Sequence, residues 1–256
     1  MKIHPTALVH RKAELANDVI IGPYTIIEEN VKIDSATEIG SHCLITGHTS
    51  IGKGCRFFTG AVIGSPPQDL KYKGEVSFLD IGKGNTIREY VTINPATKEG
   101  GKTRIGDSNL LMAYSHVAHD CCLGSNIVIA NAATLAGFVT IEDSVILGGL
   151  VGVHQFTRIG TLAFIGGCSK VVQDVLPYSL CDGHPATMRG LNIIGLRRAG
   201  FEAKARSSLK NAFKLLATAK ISTLHAIKKI EKEIEMSAEI TYLINFIKSS
   251  KRGICS

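Results

Sequence analysis

Aliphatic side chains recur at every sixth position along most of the chain. From Ile3 to Val171, 26 of the 29 positions in this series hold an aliphatic residue or Phe, and the exceptions are Asp69, Glu75 and Glu99. The next residue is often Gly, which tolerates the tight corners between short strands. A period of this length predicts a parallel β-helix of hexapeptide repeats.

Each hexapeptide is expected to supply one short strand and one corner, with its aliphatic residue inside the coil. Three hexapeptides then make one triangular turn of 18 residues, and successive turns lie about 4.8 Å apart. Such an interior is narrow, which agrees with a chain of 256 residues that has no Trp and only 6% aromatic residues. The predicted fold class is therefore mainly β, with a helical region at the C-terminal end.

Two segments interrupt the series without changing its phase. They are residues 69–80 (DLKYKGEVSFLD) and residues 99–104 (EGGKTR). Loops that leave a rigid scaffold often carry function, although such a scaffold also tolerates loops that have none. We therefore predict two loop inserts in the β-helix at these positions.

The hexapeptide series ends near Val171, and Pro177 and Pro185 mark a boundary soon after it. We predict a β-helix over residues 1–188 and an α-helical domain over residues 189–256. A solenoid needs a cap on its exposed last turn, and this is the structural role expected of the helices. Apolar residues at helical spacing predict helices over Leu209–Leu216, Leu224–Ile234 and Ile240–Ile247.

The net charge of +7 is concentrated in the C-terminal quarter of the chain. Residues 1–188 hold 15 Lys+Arg against 17 Asp+Glu, whereas residues 189–256 hold 14 against 5, a net of +9. This asymmetry predicts either an acidic partner or a solvated basic surface on the helices. Aromatic residues that would stack on bases are few, so we predict no nucleic-acid partner.

The cysteines and the length of the apolar runs help to predict where in the cell the protein resides. The number of Cys is odd, at seven, and no CxxC pair is present, which favours buried thiols in a reducing environment. The first residues have no apolar signal region, and no run of 18 apolar residues follows. We therefore expect a cytoplasmic protein without a membrane span.

Side chains that could carry chemistry gather on one side of the predicted prism. Residues 18 positions apart share a column, so we expect Gly137 one turn beyond His119 and Gln155 two turns beyond it. The neighbouring column holds His154. The resulting polar patch contains His116, His119, Asp120, Gly137, His154 and Gln155.

The residue types in this patch suit acyl transfer to an alcohol. A His can take a proton from a hydroxyl group near neutral pH, which predicts His119 as an exposed general base. Asp120 would hold its tautomer, and Gly137 would offer a backbone N–H that no side chain covers to a developing oxyanion. Solvated surface histidines without a catalytic role are the alternative.

Zinc is a second interpretation of the same histidines, because some hexapeptide β-helices bind zinc through three His and act as carbonic anhydrases. Here His154 is expected about 10 Å, or two turns, from His116 and His119. Zinc–nitrogen bonds are about 2.0–2.1 Å long, so three ligands must converge closely. We predict no metal and no cofactor, and a zinc site across a subunit interface remains the alternative.

Several stretches carry a more specific signal. They are residues 47–49 (GHT), 67–72 (PQDLKY), 87–89 (IRE), 109–112 (NLLM), 116–121 (HVAHDC), 135–137 (LAG), 153–156 (VHQF) and 192–198 (NIIGLRR). Together they resemble the UDP-N-acetylglucosamine O-acyltransferase family of lipid A synthesis. The resemblance spans nearly the whole chain, including both inserts and the helical region.

The resemblance implies a left-handed parallel β-helix and a homotrimer with active sites between neighbouring subunits. It implies transfer of an (R)-3-hydroxyacyl chain from acyl carrier protein to the glucosamine 3-hydroxyl of UDP-N-acetylglucosamine. His119 would be the general base, with Asp120 beside it and Gly137 as the oxyanion donor. Gly167 would limit the acyl pocket. The residues expected to bind the nucleotide sugar are Asp69, Lys71, His116, His154, Gln155, Asn192 and Arg198.

Two positions depart from the family pattern. Phe138 follows Leu-Ala-Gly where the family usually has His, and Ile194 stands where the family often has Glu. Both positions concern the sugar or the nucleotide, so a 3-amino sugar that yields an amide is an alternative acceptor. A coenzyme A thioester is an alternative donor, and a scaffold without activity is the alternative to an enzyme. Acyl carrier proteins are acidic, which agrees with the basic helical end.

Overall fold

The computed structural model describes residues 1–217 and 223–255. Over these residues, 28 strands form three sheets, here called A, B and C, with 11, 9 and 8 strands. Through the repeat region every third strand of the chain joins the same sheet through parallel pairing. Residues 18 positions apart pair with each other, as Ile3 does with Ile21. The chain therefore winds as the predicted parallel β-helix, with one strand per sheet in each turn.

Most strands contain only two residues, as expected for hexapeptide repeats. Sheet A contains β1 (Lys2–Ile3), β4 (Ile20–Ile21), β7 (Glu38–Ile39), β10 (Arg56–Phe57), β13 (Thr86–Ile87), β16 (Leu110–Leu111), β19 (Val128–Ile129), β22 (Ile146–Leu147), β25 (Phe164–Ile165), β27 (Ser179–Gly183) and β28 (Ala186–Leu191). Sheet B contains β2 (Leu8–Val9), β5 (Ile26–Ile27), β8 (Leu44–Ile45), β11 (Val62–Ile63), β14 (Thr92–Ile93), β17 (His116–Val117), β20 (Thr134–Leu135), β23 (Gly152–Val153) and β26 (Lys170–Val171). Sheet C contains β3 (Glu14–Leu15), β6 (Lys32–Ile33), β9 (His48–Ile51), β12 (Phe78–Ile81), β15 (Lys102–Ile105), β18 (Cys122–Leu123), β21 (Thr140–Ile141) and β24 (Arg158–Ile159).

The second residue of each two-residue strand points into the coil, and from β4 onward these side chains are buried. The outward residue of each pair remains more exposed, as the period of two in a strand requires. At the corners, residues with φ near +60° recur at intervals of six, including Asp120, Phe138 and Phe156. The repeat therefore sets both the core and the direction in which the corner side chains leave the coil.

The two inserts begin and end earlier than the sequence pattern indicated. β12 includes residues 78–80 and β15 includes residues 102–104, which the sequence analysis assigned to the inserts. These residues pair in sheet C, where Leu79 and Thr103 turn inwards and are fully buried. The loops themselves occupy residues 64–77 and 94–101.

Both inserts preserve the phase of the coil because they contain whole hexapeptides. Ile51 pairs with Ile81, which is 30 positions away and therefore 12 residues beyond a full turn. Ile81 pairs with Ile105, which is 24 positions away and therefore six residues beyond a full turn. The inward series continues across each loop for this reason.

The helices begin slightly later than the predicted boundary at residue 189. β28 pairs antiparallel with β27 and runs through that boundary to Leu191. Within the described residues, the helices that follow are α1 (Ile193–Arg198), α2 (Ala203–Leu216), α3 (Thr223–Glu233) and α4 (Ala238–Ser249). The three predicted helices correspond to α2, α3 and α4, whereas α1 was not predicted.

The helices pack together over a second apolar core that includes Leu176 and Tyr178 from the end of the β-helix. Arg158 in β24 joins the two regions, because its guanidinium lies 4.0 Å from the centre of the Phe246 ring and binds Glu142. Among the described residues, no helix is long and apolar enough to cross a membrane.

Candidate active site

The predicted column of polar residues forms at the corner between sheets B and C. The Phe138 amide donates to the His119 carbonyl oxygen at 3.0 Å, and the Phe156 amide donates to the Gly137 carbonyl oxygen at 3.2 Å. These bonds stack the corners that contain His119, Gly137 and Gln155 in successive turns. The parallel coil thus places residues from three separate hexapeptides side by side.

His119 is held in the centre of this corner. Its side chain is buried, with only 7% exposed, so the expectation that His119 is exposed was wrong. The His119 Nδ1 atom lies 2.8 Å from Asp120 Oδ2. An ionised carboxylate can only accept a hydrogen bond, so this contact assigns the proton to Nδ1. The lone pair of Nε2 is then available to accept a proton.

Asp120 is anchored by two threonines that the sequence analysis did not single out. Its backbone amide donates to Thr103 Oγ1 at 2.8 Å. Its Oδ2 atom accepts from the Thr97 amide at 3.1 Å and from the Thr97 hydroxyl at 2.7 Å. Thr97 belongs to the second insert, which lacks any repeat that could have placed it beside Asp120.

Asp69 approaches His119 from the opposite side. Its Oδ2 atom lies 4.0 Å from His119 Nε2, while its Oδ1 atom accepts a hydrogen bond from the Lys71 amide at 2.9 Å. The Lys71 side chain is exposed at the tip of the same loop. The first insert therefore brings a second carboxylate close to the imidazole.

The two inserts are joined to each other by hydrogen bonds. The Val76 amide donates to a Glu99 carboxylate oxygen at 2.9 Å, and the Gly100 amide donates to the Val76 carbonyl oxygen at 2.8 Å. The Ser77 hydroxyl donates to the Ala96 carbonyl oxygen at 2.5 Å. Each insert thereby supports the other beside the corner of His119.

Gly137 is more enclosed than predicted. The His119 ring lies over its Cα atom, and an added Cβ would come within 2.4 Å of His119 Cε1. The expectation that no side chain covers Gly137 was therefore wrong. Its backbone N–H donates to no other group within the described chain. A glycine is required here because any side chain would take the space of the imidazole.

Two phenylalanines line the same corner beyond His119. The Phe138 ring meets the His119 ring edge to face, with 5.5 Å between centroids. It also stacks on Phe156 at 4.8 Å, and Phe156 is exposed. The contact between Phe138 and Phe156 follows from the 18-residue spacing, and Phe138 gives the imidazole an apolar neighbour on one side.

The other histidines of the patch differ in their surroundings. His116 lies on the outer face of sheet B, and its Nδ1 atom is 2.6 Å from Thr92 Oγ1. Burial, followed by the proximity of His119, lowers the pKa of His116 below its ordinary value, which favours the neutral ring. His154 and Gln155 are exposed, and His154 Nδ1 contacts the Gln155 carbonyl oxygen at 3.2 Å.

Three predicted residues lie elsewhere in the single chain. Asn192 and Arg198 line a cavity of about 520 Å³ between sheet A and α1 that does not include His119. The Asn192 side chain caps α1 by accepting from the Gly195 amide, and it donates to the Leu162 carbonyl oxygen. Gly167 is exposed at the corner between sheets A and B.

Metal ligands do not converge in this structure. Within residues 1–217 and 223–255, no group of three His, Cys, Asp or Glu side chains could hold a metal ion. His119 and His116 direct Nδ1 towards Asp120 and Thr92 instead.

Comparison with known proteins places this geometry in a family. A family model described as UDP N-acetylglucosamine O-acyltransferase, domain 2, matches residues 174–255. The acyl-[acyl-carrier-protein]–UDP-N-acetylglucosamine O-acyltransferase of Thermodesulfovibrio yellowstonii is 51% identical over 255 residues, covering 99% of both chains. The chain belongs to the UDP-N-acetylglucosamine O-acyltransferase family. The corresponding protein of Syntrophobacter fumaroxidans is 47% identical over 256 residues, again covering 99% of both chains.

Solved structures of UDP-N-acetylglucosamine acyltransferases agree with this result. The enzyme from Bacteroides fragilis has a TM-score of 0.97 at 40% identity and covers 99% of this chain and 100% of its own. The one from Acinetobacter baumannii has a TM-score of 0.94 at 40% identity, with 99% of both chains covered. The predicted left-handed β-helix is therefore confirmed. The predicted class of enzyme, an acyltransferase of this lipid A family, is confirmed as well.

Proposed function

We propose that the chain transfers an (R)-3-hydroxyacyl group from acyl carrier protein to the 3-hydroxyl of the glucosamine in UDP-N-acetylglucosamine, with His119 as the general base. The observation that carries the proposal is the contact of 2.8 Å between His119 Nδ1 and Asp120 Oδ2, which leaves Nε2 free. The family membership supports the donor and the acceptor class. The geometry of this corner supports the finer steps of the proposal.

In the first step, Nε2 of His119 removes the proton from the acceptor hydroxyl, whose oxygen attacks the thioester carbonyl carbon. Asp120 stabilises the imidazolium that forms. The carbonyl oxygen becomes an oxyanion, to which the backbone N–H of Gly137 donates. When the intermediate collapses, the carbon–sulfur bond breaks and the imidazolium returns its proton to the leaving thiolate of the carrier protein.

A homotrimer accounts for the residues that lie apart in one chain. Asn192, Arg198 and Gly167 do not share the corner of His119 in a single copy. A neighbouring copy that contributes them would complete a site for the nucleotide and the acyl chain in the cleft between subunits. Asp69, Lys71, His116, His154 and Gln155 would bind the sugar from the first copy. Native mass spectrometry tests the assembly, and a monomer with full activity would contradict it.

The basic helical end suits the acidic donor. Residues 189–256 carry a net charge of +9, and both Arg197 and Arg198 are exposed at the end of α1. Lys204 is partly neutralised, because its ammonium lies 2.7 Å from a Glu235 carboxylate oxygen. We propose that this surface attracts acyl carrier protein in the cytoplasm, where the donor is available.

A 3-amino sugar that would yield an amide is the second candidate acceptor. Phe138 lies beside His119 where the family usually has His, and its apolar ring offers no hydrogen bond to the sugar, so the acceptor can differ from the usual one. Mass spectrometry of the products from both nucleotide sugars distinguishes an ester from an amide.

The test of the main proposal uses the purified chain with UDP-N-acetylglucosamine and a panel of (R)-3-hydroxyacyl carrier proteins. We expect a 3-O-acyl product from wild type and a loss of about 10²–10⁴-fold in rate for His119→Ala. Equal use of a coenzyme A thioester would contradict acyl carrier protein as the specific donor. A His119→Ala rate above about a tenth of the wild-type rate would contradict the role of His119 as the base.

A further inference from the structure

A single carboxylate oxygen at the active corner receives three hydrogen bonds. Asp120 Oδ2 lies 2.8 Å from His119 Nδ1, 2.7 Å from the Thr97 hydroxyl and 3.1 Å from the Thr97 amide. The oxygen that orients the imidazole is thus the same oxygen that Thr97 holds. Asp120 is largely enclosed, with 11% of its side chain exposed, so little water competes for these positions.

Thr97 is itself held firmly in place. The adjoining Ala96 is fully buried, and its carbonyl oxygen accepts from the Ser77 hydroxyl of the other insert at 2.5 Å. The backbone of Asp120 is anchored separately by Thr103. Thr97 can therefore fix the direction of the carboxylate without being needed to hold its backbone.

We propose that Thr97 is a positioning residue for acyl transfer, acting on His119 through Asp120. Its hydroxyl keeps Oδ2 directed at Nδ1 and so keeps the proton on Nδ1 and the lone pair on Nε2. This inference rests on the proposed role of His119 as the base. Without the hydroxyl, the carboxylate can rotate away from the imidazole, and the tautomer with its proton on Nε2 cannot accept the proton of the acceptor.

The chemical role predicts a specific kinetic pattern. Thr97→Val has nearly the shape of threonine and retains the amide bond to Oδ2, but it lacks the hydroxyl. We expect its kcat to fall about tenfold, the scale of one hydrogen bond to a charged group, while KM for both substrates stays within about twofold. Thr97→Ser restores the hydroxyl and should recover most of the rate.

A matched control is available at Thr86. It is half-buried on the outer face of sheet A, and its hydroxyl makes no hydrogen bond within the described chain. Thr86→Val makes the same chemical change away from the site, and its kcat should equal that of wild type. Thermal unfolding of each variant checks that the comparison concerns folded protein.

A double-mutant cycle with Asp120→Ala tests whether Thr97 acts through Asp120. If it does, adding Thr97→Val to Asp120→Ala should lower kcat by less than twofold, because the side chain that Thr97 positions is already gone. A full tenfold loss in both backgrounds, a wild-type kcat for Thr97→Val, or no recovery in Thr97→Ser would overturn the inference.

His119→Ala separates failure of this inference from failure of the proposed function. If His119→Ala is inactive and Thr97→Val is fully active, only the role of Thr97 is wrong. If His119→Ala keeps more than about a tenth of the wild-type rate, the proposed base is wrong, and the role of Thr97 falls with it.

Discussion

The imidazole of His119 packs directly against the Cα atom of Gly137 in the next turn of the β-helix. An added Cβ at Gly137 would lie 2.4 Å from Cε1 and 2.7 Å from Nε2 of that ring. The φ angle of Gly137 lies outside the left-handed region, so space rather than backbone strain requires a glycine here. The proposed base and the proposed oxyanion donor therefore depend on each other for their positions.

We expect Gly137→Ala to remain folded and to lose activity. The methyl group would displace the His119 ring, and a shift of about 1 Å in a reacting group can cost roughly 10²-fold in rate. Steady-state kinetics and thermal unfolding measure the two effects. Gly152→Ala is the matched control, because a Cβ there would meet nothing within 4 Å. Comparable activity in both variants would contradict this account.

The pKa of His116 leads to a prediction about pH and stability. Burial holds this pKa below its ordinary value of 6.5, so below about pH 6.5 the unfolded chain binds more protons than the folded one at this position. The free energy of unfolding should therefore fall as pH is lowered through that range. His116→Gln removes the titration, and its melting temperature should decline less between about pH 7 and pH 5. Equal declines in the melting temperatures of wild type and His116→Gln would argue against this effect.

The spacing of 18 residues predicted the fold and the column of His119, Gly137 and Gln155 because a β-helix converts sequence distance directly into position. It did not predict the contacts of Asp69 and Thr97. Both belong to loops that have no period, and their positions depend on hydrogen bonds between the two loops. The burial of His119 was also missed, because it results from packing between side chains and loops.

Acyl-chain length offers a test of Gly167. A Cβ at this exposed position would approach the Gly149 carbonyl oxygen at 3.3 Å, so a side chain needs only a small adjustment and can project outwards. We expect Gly167→Met to favour shorter donors, at about 0.8 kcal/mol for each buried methylene that is lost. Rates with a series of hydroxyacyl carrier proteins check this, and an unchanged preference would be evidence against the assignment.

Donor capture should depend on ionic strength. Charge attraction is screened over about 8 Å at physiological salt, so Arg197→Glu or Arg198→Glu should raise the donor KM most strongly at low salt. Arg198 also lines the cavity beside α1, so Arg197 gives the cleaner result. Lys204 is basic as well, but its ion pair with Glu235 predicts a smaller effect for Lys204→Glu. Lys228→Glu on α3 serves as the comparison. A donor KM of the wild type that does not change with salt would contradict the role of the charge.

Chelation provides a direct test of the metal-free prediction. We expect the activity to be unchanged after dialysis against a chelator, because His119 directs Nδ1 to Asp120 and no three ligands converge in the described chain. Elemental analysis before and after dialysis completes the measurement. If zinc and activity were lost together on dialysis and restored together, the prediction would be wrong.

The hydrogen bonds between the two inserts limit how this active corner can change. Val76 and Ser77 of the first loop bind Glu99, Gly100 and Ala96 of the second, while each loop also supplies one residue to the His119–Asp120 pair. A loop transplanted alone from a relative would leave unmatched donors and acceptors beside the base. The two loops therefore form one structural unit. Chimaeras in which both loops are exchanged together should be less disrupted than chimaeras in which only one loop is exchanged.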